Sequence, residues 1–223
     1  INLTFASMKF NEESAQKVSE FLLQIRSIQL NPNHPFTWAS GLKSPIYCDN
    51  RKTLSYPEVR NYIRDEFAKT ILKGFEKPDV IAGVATGGIA QGALVAQEMD
   101  LPFVYVRSSK KGHGLENLVE GHIEKGQSVV VVEDLVSTGK SSLNAVNALR
   151  EAGCKVIGMV AIFTYNLDVA IENFKKEDVQ LYTLADYDSM IRKALETKYI
   201  GDAELDSLMD WRKDPKKWAE KFN

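Results

Sequence analysis

Cysteine is nearly absent from this chain. Only Cys48 and Cys154 occur among 223 residues, so no disulfide framework is expected, and no Cys/His cluster has the spacing of a zinc site. Long hydrophobic runs are missing as well: no apolar stretch approaches the roughly 20 residues that span a bilayer. Neither sign of charge dominates, since 28 Lys+Arg against 30 Asp+Glu leave a formal net charge of −2. Global attraction to nucleic acid or to an anionic membrane is therefore not expected, and any anion binding must come from a local cluster. There is no internal repeat, low-complexity tract or long Pro/Gly/Ser linker. The N-terminal stretch lacks a basic region followed by a continuous apolar core, so no secretory signal is expected, and a cytoplasmic location is.

What is present is a sizeable apolar fraction, 44%, enough for a buried core in one domain over 1–223. Val18, Phe21, Leu22, Ile25 and Ile28 fall at helical spacing. "FTWASGLKSPIYCDN" carries two short aromatic-rich runs around Gly41, the pattern of a hairpin. "YPEVRNYIRDEFAKTIL" then places Val59, Ile63, Phe67 and Ile71 on one helical stripe, with Pro57 near its first turn.

From residue 79 the pattern changes. "DVIAGV" (79–84), "PFVYVR" (102–107), "SVVVVED" (128–134) and "KVIGMVAIF" (155–163) are apolar throughout, and helical segments alternate with them. Strands without an exposed face, alternating with helices, predict a doubly wound α/β fold with a mainly parallel sheet covered on both sides. The expected layout is an N-terminal helix and hairpin hood over about 10–55, an α/β core over about 56–175, and C-terminal helices over about 176–223. Those last are expected on the surface and given no chemistry.

The stretch "VVVVEDLVSTGKSS" (129–142) carries the strongest chemical signal. Its Gly139-Lys140-Ser141 resembles the end of a P-loop, but that loop needs a glycine five residues earlier, and Asp134 stands there. What remains is a strand ending in Glu133-Asp134, a small-residue turn through Ser137, Thr138, Gly139, Lys140 and Ser141, and a helix from about Ser141. Backbone N–H groups, hydroxyls and a positive helix end converge in such a turn on one phosphate. The two carboxylates would repel that phosphate, so they suit the ligand's sugar hydroxyls or a developing positive charge. Arg107, Lys110, Lys111 and His113 cluster among Gly112, Gly114 and Gly121, as suits a lid closing over a polyanion. His34 and His122 have no such context.

These motifs carry a resemblance. "VVVVEDLVSTGKSS" resembles the phosphoribosyl-pyrophosphate (PRPP) motif of the type I phosphoribosyltransferases. "FTWASGLKSPIYCDNR" (36–51) resembles the N-terminal hairpin of the orotate phosphoribosyltransferases, "YVRSSKKGHGLENLVEG" (105–121) their catalytic loop, and "GVATGGIAQGALVA" (83–96) their pyrophosphate-side loop. The resemblance implies transfer of phosphoribosyl from PRPP to orotate in pyrimidine synthesis. It implies PRPP binding by Arg107, Lys111, His113 and the run Glu133, Asp134, Leu135, Val136, Ser137, Thr138, Gly139, Lys140 and Ser141. Ser137 and Tyr47 would meet orotate, and Lys111, His113, Glu133 and Asp134 would be catalytic. It also implies Mg²⁺ carried by the substrate phosphates rather than by a protein metal site, and a homodimer whose loop acts in the partner's site. The match departs from the pattern at Ala39, at Thr86-Gly87, at Ser108, and at Tyr165, which stands near the family's carboxylate-binding arginine. Lys43 and Arg51 are the candidate replacements. Two other readings stay open: a phosphoribosyltransferase for another base, which the hairpin argues against, and a non-catalytic nucleic-acid-binding regulator, which the slightly acidic charge argues against.

Overall fold

The computed structural model describes residues 9–38, 40–109 and 118–222. Helix α1 (Glu12–Gln24) starts where Asn11 Oδ1 accepts from the Glu13 and Ser14 amides at 2.8 and 3.4 Å. Sequence periodicity had suggested a helix running on to Ile28. The helix stops earlier, because Arg26 turns left-handed at φ 54°, and Ile28 instead opens a strand. That strand, β1 (Ile28–Leu30), is followed by β2 (Phe36–Thr37), β3 (Lys43–Ser44) and β4 (Ile46–Cys48). The expected hairpin around Gly41 is the antiparallel β2–β3 pair, and the antiparallel β1–β4 pair continues it.

After a 3-10 turn over Asn50–Ser55 comes α2 (Pro57–Gly74), which buries Val59, Ile63, Phe67 and Ile71, the stripe expected of it. The core then runs β5 (Val80–Val84), α3 (Gly87–Met99), β6 (Phe103–Val106), β7 (Val119–Glu120), β8 (Ser128–Val136), α4 (Lys140–Glu151), β9 (Lys155–Thr164), α5 (Asp168–Lys176) and β10 (Leu181–Asp186). Helices α6 (Tyr187–Glu196), α7 (Asp202–Lys213) and α8 (Pro215–Ala219) close the chain.

The main sheet has the order β10-β9-β8-β5-β6-β7 and is parallel except for β7, which runs antiparallel to β6 at the edge. Its valine-rich strands carry side chains to both faces, and each face has its own core. One gathers residues of α1, α2, α3, α6 and α7, the other residues of α4 and α5. This is the doubly wound α/β fold expected from the apolar strands. The C-terminal segment differs from expectation in two ways. Leu181–Asp186 forms an edge strand rather than a helix, and α7 sends Trp211 into the core with no exposed surface. Its remaining charges face outward, so the pattern of that segment looks like a surface helix. Among the described residues no helix is long and apolar enough to cross a membrane.

The order of strands fixes where a ligand fits. Chain order reverses between β5 and β8, and the crevice beyond their carboxyl ends is the usual binding place in such sheets. Every chemical motif of the sequence that lies among the described residues, apart from the hairpin, emerges at that end.

Candidate active site

Strand β8 runs two residues further than the sequence suggested, so Leu135 and Val136 still pair with Phe163 and Thr164 of β9. The turn is thereby short: Ser137, Thr138 and Gly139, then α4 at Lys140. Gly139 has φ +79°, a left-handed conformation that side chains disfavour, and a Cβ there would meet the Phe174 ring at 2.7 Å. Two further contacts hold the turn: Asn173 Nδ2 donates to the Thr138 carbonyl at 3.0 Å, and Thr164 Oγ1 to the Val136 carbonyl at 3.1 Å. No side chain caps α4. Its first N–H groups thus lack both an intrahelical partner and a cap, and they point at the turn that Ser137 and Ser141 flank.

Glu133 and Asp134 are neighbours in sequence with opposite surroundings, because successive strand residues face opposite sides of the sheet. Glu133 is buried under the first turn of α4. It accepts from the Asp134 amide and from Ser142 Oγ, both at 2.9 Å. Burial, and then the adjacent Asp134 charge, push its carboxyl well above the usual carboxylate range. Asp134 is only partly buried and lies on the other side, against α3. A Cβ on Gly87 would strike the Asp134 carboxylate, so the glycine of the Thr86-Gly87 pair is what leaves room for it.

Asn50 ties the hood to this strand. Its Nδ2 donates to the Asp134 carbonyl at 2.6 Å, while its Oδ1 accepts from Ser27 Oγ at 3.2 Å and from Cys48 Sγ at 3.3 Å. Nothing in the sequence alone points to this residue, since its partner is 84 positions away.

On the hood side of β8 lies a pocket of about 240 Å³ walled by Thr37, Trp38, Tyr47 and Cys48 of the hairpins, Leu135 and Ser137 of the β8 end, and Tyr165. Trp38 stacks on Tyr165 with ring centroids 5.5 Å apart, and its Nε1 donates to the Ile46 carbonyl at 3.1 Å. Trp211 of α7 sets its edge against both rings, at 5.8 Å from Trp38 and 5.5 Å from Tyr165. The C-terminal helices therefore brace a wall of the pocket, a role the sequence reading did not give them. Burial pushes the Cys48 thiol and the Tyr165 phenol well up, so both are neutral. A pocket lined by aromatic rings, with the hydroxyls of Thr37 and Ser137 among its walls, suits a planar heterocycle.

On the α4 side a second, polar cavity of about 500 Å³ brings together Ala85 after β5, Arg107 and Ser108 after β6, and Ser141 in the first turn of α4. Arg107 Nη1 is 3.5 Å from Glu120 Oε1, which aims the guanidinium along the edge of the cavity. Lys110, Lys111 and His113 lie outside the described residues. The structure thus brings together Tyr47, Arg107, Glu133, Asp134 and the run from Leu135 to Ser141 at one end of the sheet. Thr37, Trp38, Cys48 and Asn50 join them from the hood. Among the described residues no group of three or more His, Cys, Asp or Glu side chains could hold a metal ion.

Comparison with known proteins agrees with this geometry. The phosphoribosyl transferase domain family matches residues 54–196. The orotate phosphoribosyltransferase of Phocaeicola vulgatus is 58% identical over 200 residues, covering 90% of this chain and 94% of that protein. That of Porphyromonas gingivalis is 56% identical over 202 residues, covering 91% and 96%. The crystal structure of orotate phosphoribosyltransferase from Aeropyrum pernix superimposes with a TM-score of 0.72 at 27% identity, covering 82% of this chain and 99% of that one. Identity of this degree over nine-tenths of the sequence, on the same fold, places this chain in the orotate phosphoribosyltransferase family.

Proposed function

We propose that the protein transfers the phosphoribosyl group of PRPP to N1 of orotate, releasing pyrophosphate and forming orotidine 5'-monophosphate in pyrimidine synthesis. The observation that carries this reading is the adjacency of an aromatic slot and an anion-binding turn that share Ser137.

The turn from Ser137 to Ser141 holds the 5'-phosphate through its amides and hydroxyls. Asp134 presents its carboxylate to the ribose hydroxyls and to the positive charge that grows on the ring as the pyrophosphate bond breaks. Glu133 serves the same pair from beneath, holding the Asp134 amide and Ser142 in place. Such preorganised charge at a developing cation is the largest ordinary source of rate enhancement. Arg107, with Lys111 and His113 of the following loop, neutralises the leaving pyrophosphate, and closure of that loop over the partner subunit's site in a homodimer excludes water. The residues present fit Mg²⁺ in the manner usual for this cation, with the partly buried Asp134 carboxylate beside substrate phosphates rather than a protein cage. When bound, the ion supplies charge to the pyrophosphate oxygens. The chemistry takes place in the cytoplasm.

The test is an absorbance assay of orotate consumption with PRPP and Mg²⁺, run beside uracil, xanthine, hypoxanthine and adenine. Turnover of orotate alone supports the reading. Turnover of another base in its place would overturn the assignment of the aromatic pocket, and inert mixtures would overturn the enzyme.

A further inference from the structure

Orotate brings a carboxylate into this site, and the walls of the aromatic pocket offer it no cation. An ionised carboxylate set against apolar surface is strongly disfavoured unless it is paired. The family's arginine would fall near Tyr165, which is a buried neutral phenol here. The counter-charge must then come from the rim.

Two hood cations are near enough in sequence to serve, and the structure separates them. Arg51 Nε donates to Asp49 Oδ1 at 2.7 Å, so it already has a carboxylate partner. Lys43 is different. It stands directly across from Thr37 in the β2–β3 ladder, which puts both side chains on one face of the ribbon. Its Nζ donates to Thr37 Oγ1 at 2.9 Å, and Thr37 is itself a wall of the pocket. Among the described residues no carboxylate lies within ion-pair distance of Lys43. An ammonium tied through a neutral hydroxyl to a wall of the pocket is a charge still to be matched.

We infer that Lys43, tethered by Thr37, is the cation that recognises the carboxylate of the base and so makes the pocket prefer a carboxylated pyrimidine to uracil. The inference rests on the orotate reading above. Uracil fills the same slot but leaves the ammonium with water, so the discrimination comes from an attraction that only the acid gains. Lysine suits the position because its compact charge ends a flexible stem that swings from the Thr37 hydroxyl to the ligand.

The experiment compares wild type, Lys43→Met and Lys43→Arg in steady-state kinetics, varying orotate and PRPP separately, with uracil as the alternative base and thermal melts to check folding. Lys43→Met should raise KM for orotate by about tenfold to a hundredfold, the loss expected for one charge-assisted hydrogen bond. It should lower the orotate-to-uracil ratio of kcat/KM by a similar factor and leave KM for PRPP unchanged. Lys43→Arg should recover most of both. Unchanged orotate KM and base preference in a folded Lys43→Met would overturn the inference while leaving the enzyme assignment standing. Equal rises in the KM of orotate and of PRPP would also overturn it, in favour of a role in shaping the hairpin. A wild-type protein that does not consume orotate overturns the functional reading, and the inference with it.

Discussion

The turn after β8 and the aromatic pocket share Ser137, yet they are built in opposite ways. The turn is mostly local: strand, three-residue turn and helix follow one another between Ser128 and Glu151, with Thr164, Asn173 and Phe174 bracing it from outside. The pocket draws on both hairpins, the end of β8 and the residue after β9, and Trp211 supports it from behind. An anion needs only converging amides and hydroxyls, which one short piece of backbone supplies. A planar base needs two opposed surfaces, and these come from segments far apart in the chain.

The largest effect should separate the two regions at the pocket's brace. Trp211→Ala removes a fully buried ring and should cost about 3–5 kcal/mol of stability. In variant protein that remains folded, it should raise KM for orotate while sparing KM for PRPP. Thermal melts and separate titration of the two substrates check both; an equal rise in both KM values would erase the distinction between a braced pocket and a self-sufficient turn. Next in size is Asp134→Asn. This change keeps the shape beside Gly87 but removes the charge, and kcat should fall about a hundredfold to a thousandfold with little change in the melting temperature. Undiminished turnover would remove Asp134 from the mechanism.

The smallest effect concerns its neighbour. Glu133 has a folded-state pKa raised well above the ordinary 4.5, by burial first and by Asp134 second. The native protein therefore keeps a proton that the unfolded chain releases. The stability this contributes is fully present below about pH 4.5 and is lost as pH rises toward the raised folded value. Glu133→Gln has no such titration. Its melting temperature relative to wild type should climb as pH rises above about 4.5, and a difference that stays constant with pH would show that Glu133 titrates normally.

Much of the core was legible because fully buried parallel strands read as unbroken apolar runs, and "VVVV" before two acids leaves little room for another interpretation. Periodicity misled at Ile28, where the apolar spacing of a helix continues past Arg26 although the backbone does not. It was silent on β7, two residues that pair only because β6 offers them an edge. The C-terminal segment was the largest omission. Trp211 and Trp218 are scattered among charges, and nothing local tells a buried tryptophan from an exposed one.

The sequence by itself pointed to the turn, since the paired acids Glu133-Asp134 and the small residues from Ser137 to Ser141 lie in one continuous stretch. Only the tertiary structure decided what surrounds Glu133 and Asp134 on their opposite faces, that Asn50 joins the hood to Asp134, and that Arg51 meets a carboxylate while Lys43 meets the Thr37 hydroxyl. Each of these depends on which distant surface lies opposite a side chain. Burial and pairing are set by that neighbour, and spacing along the chain carries no record of it.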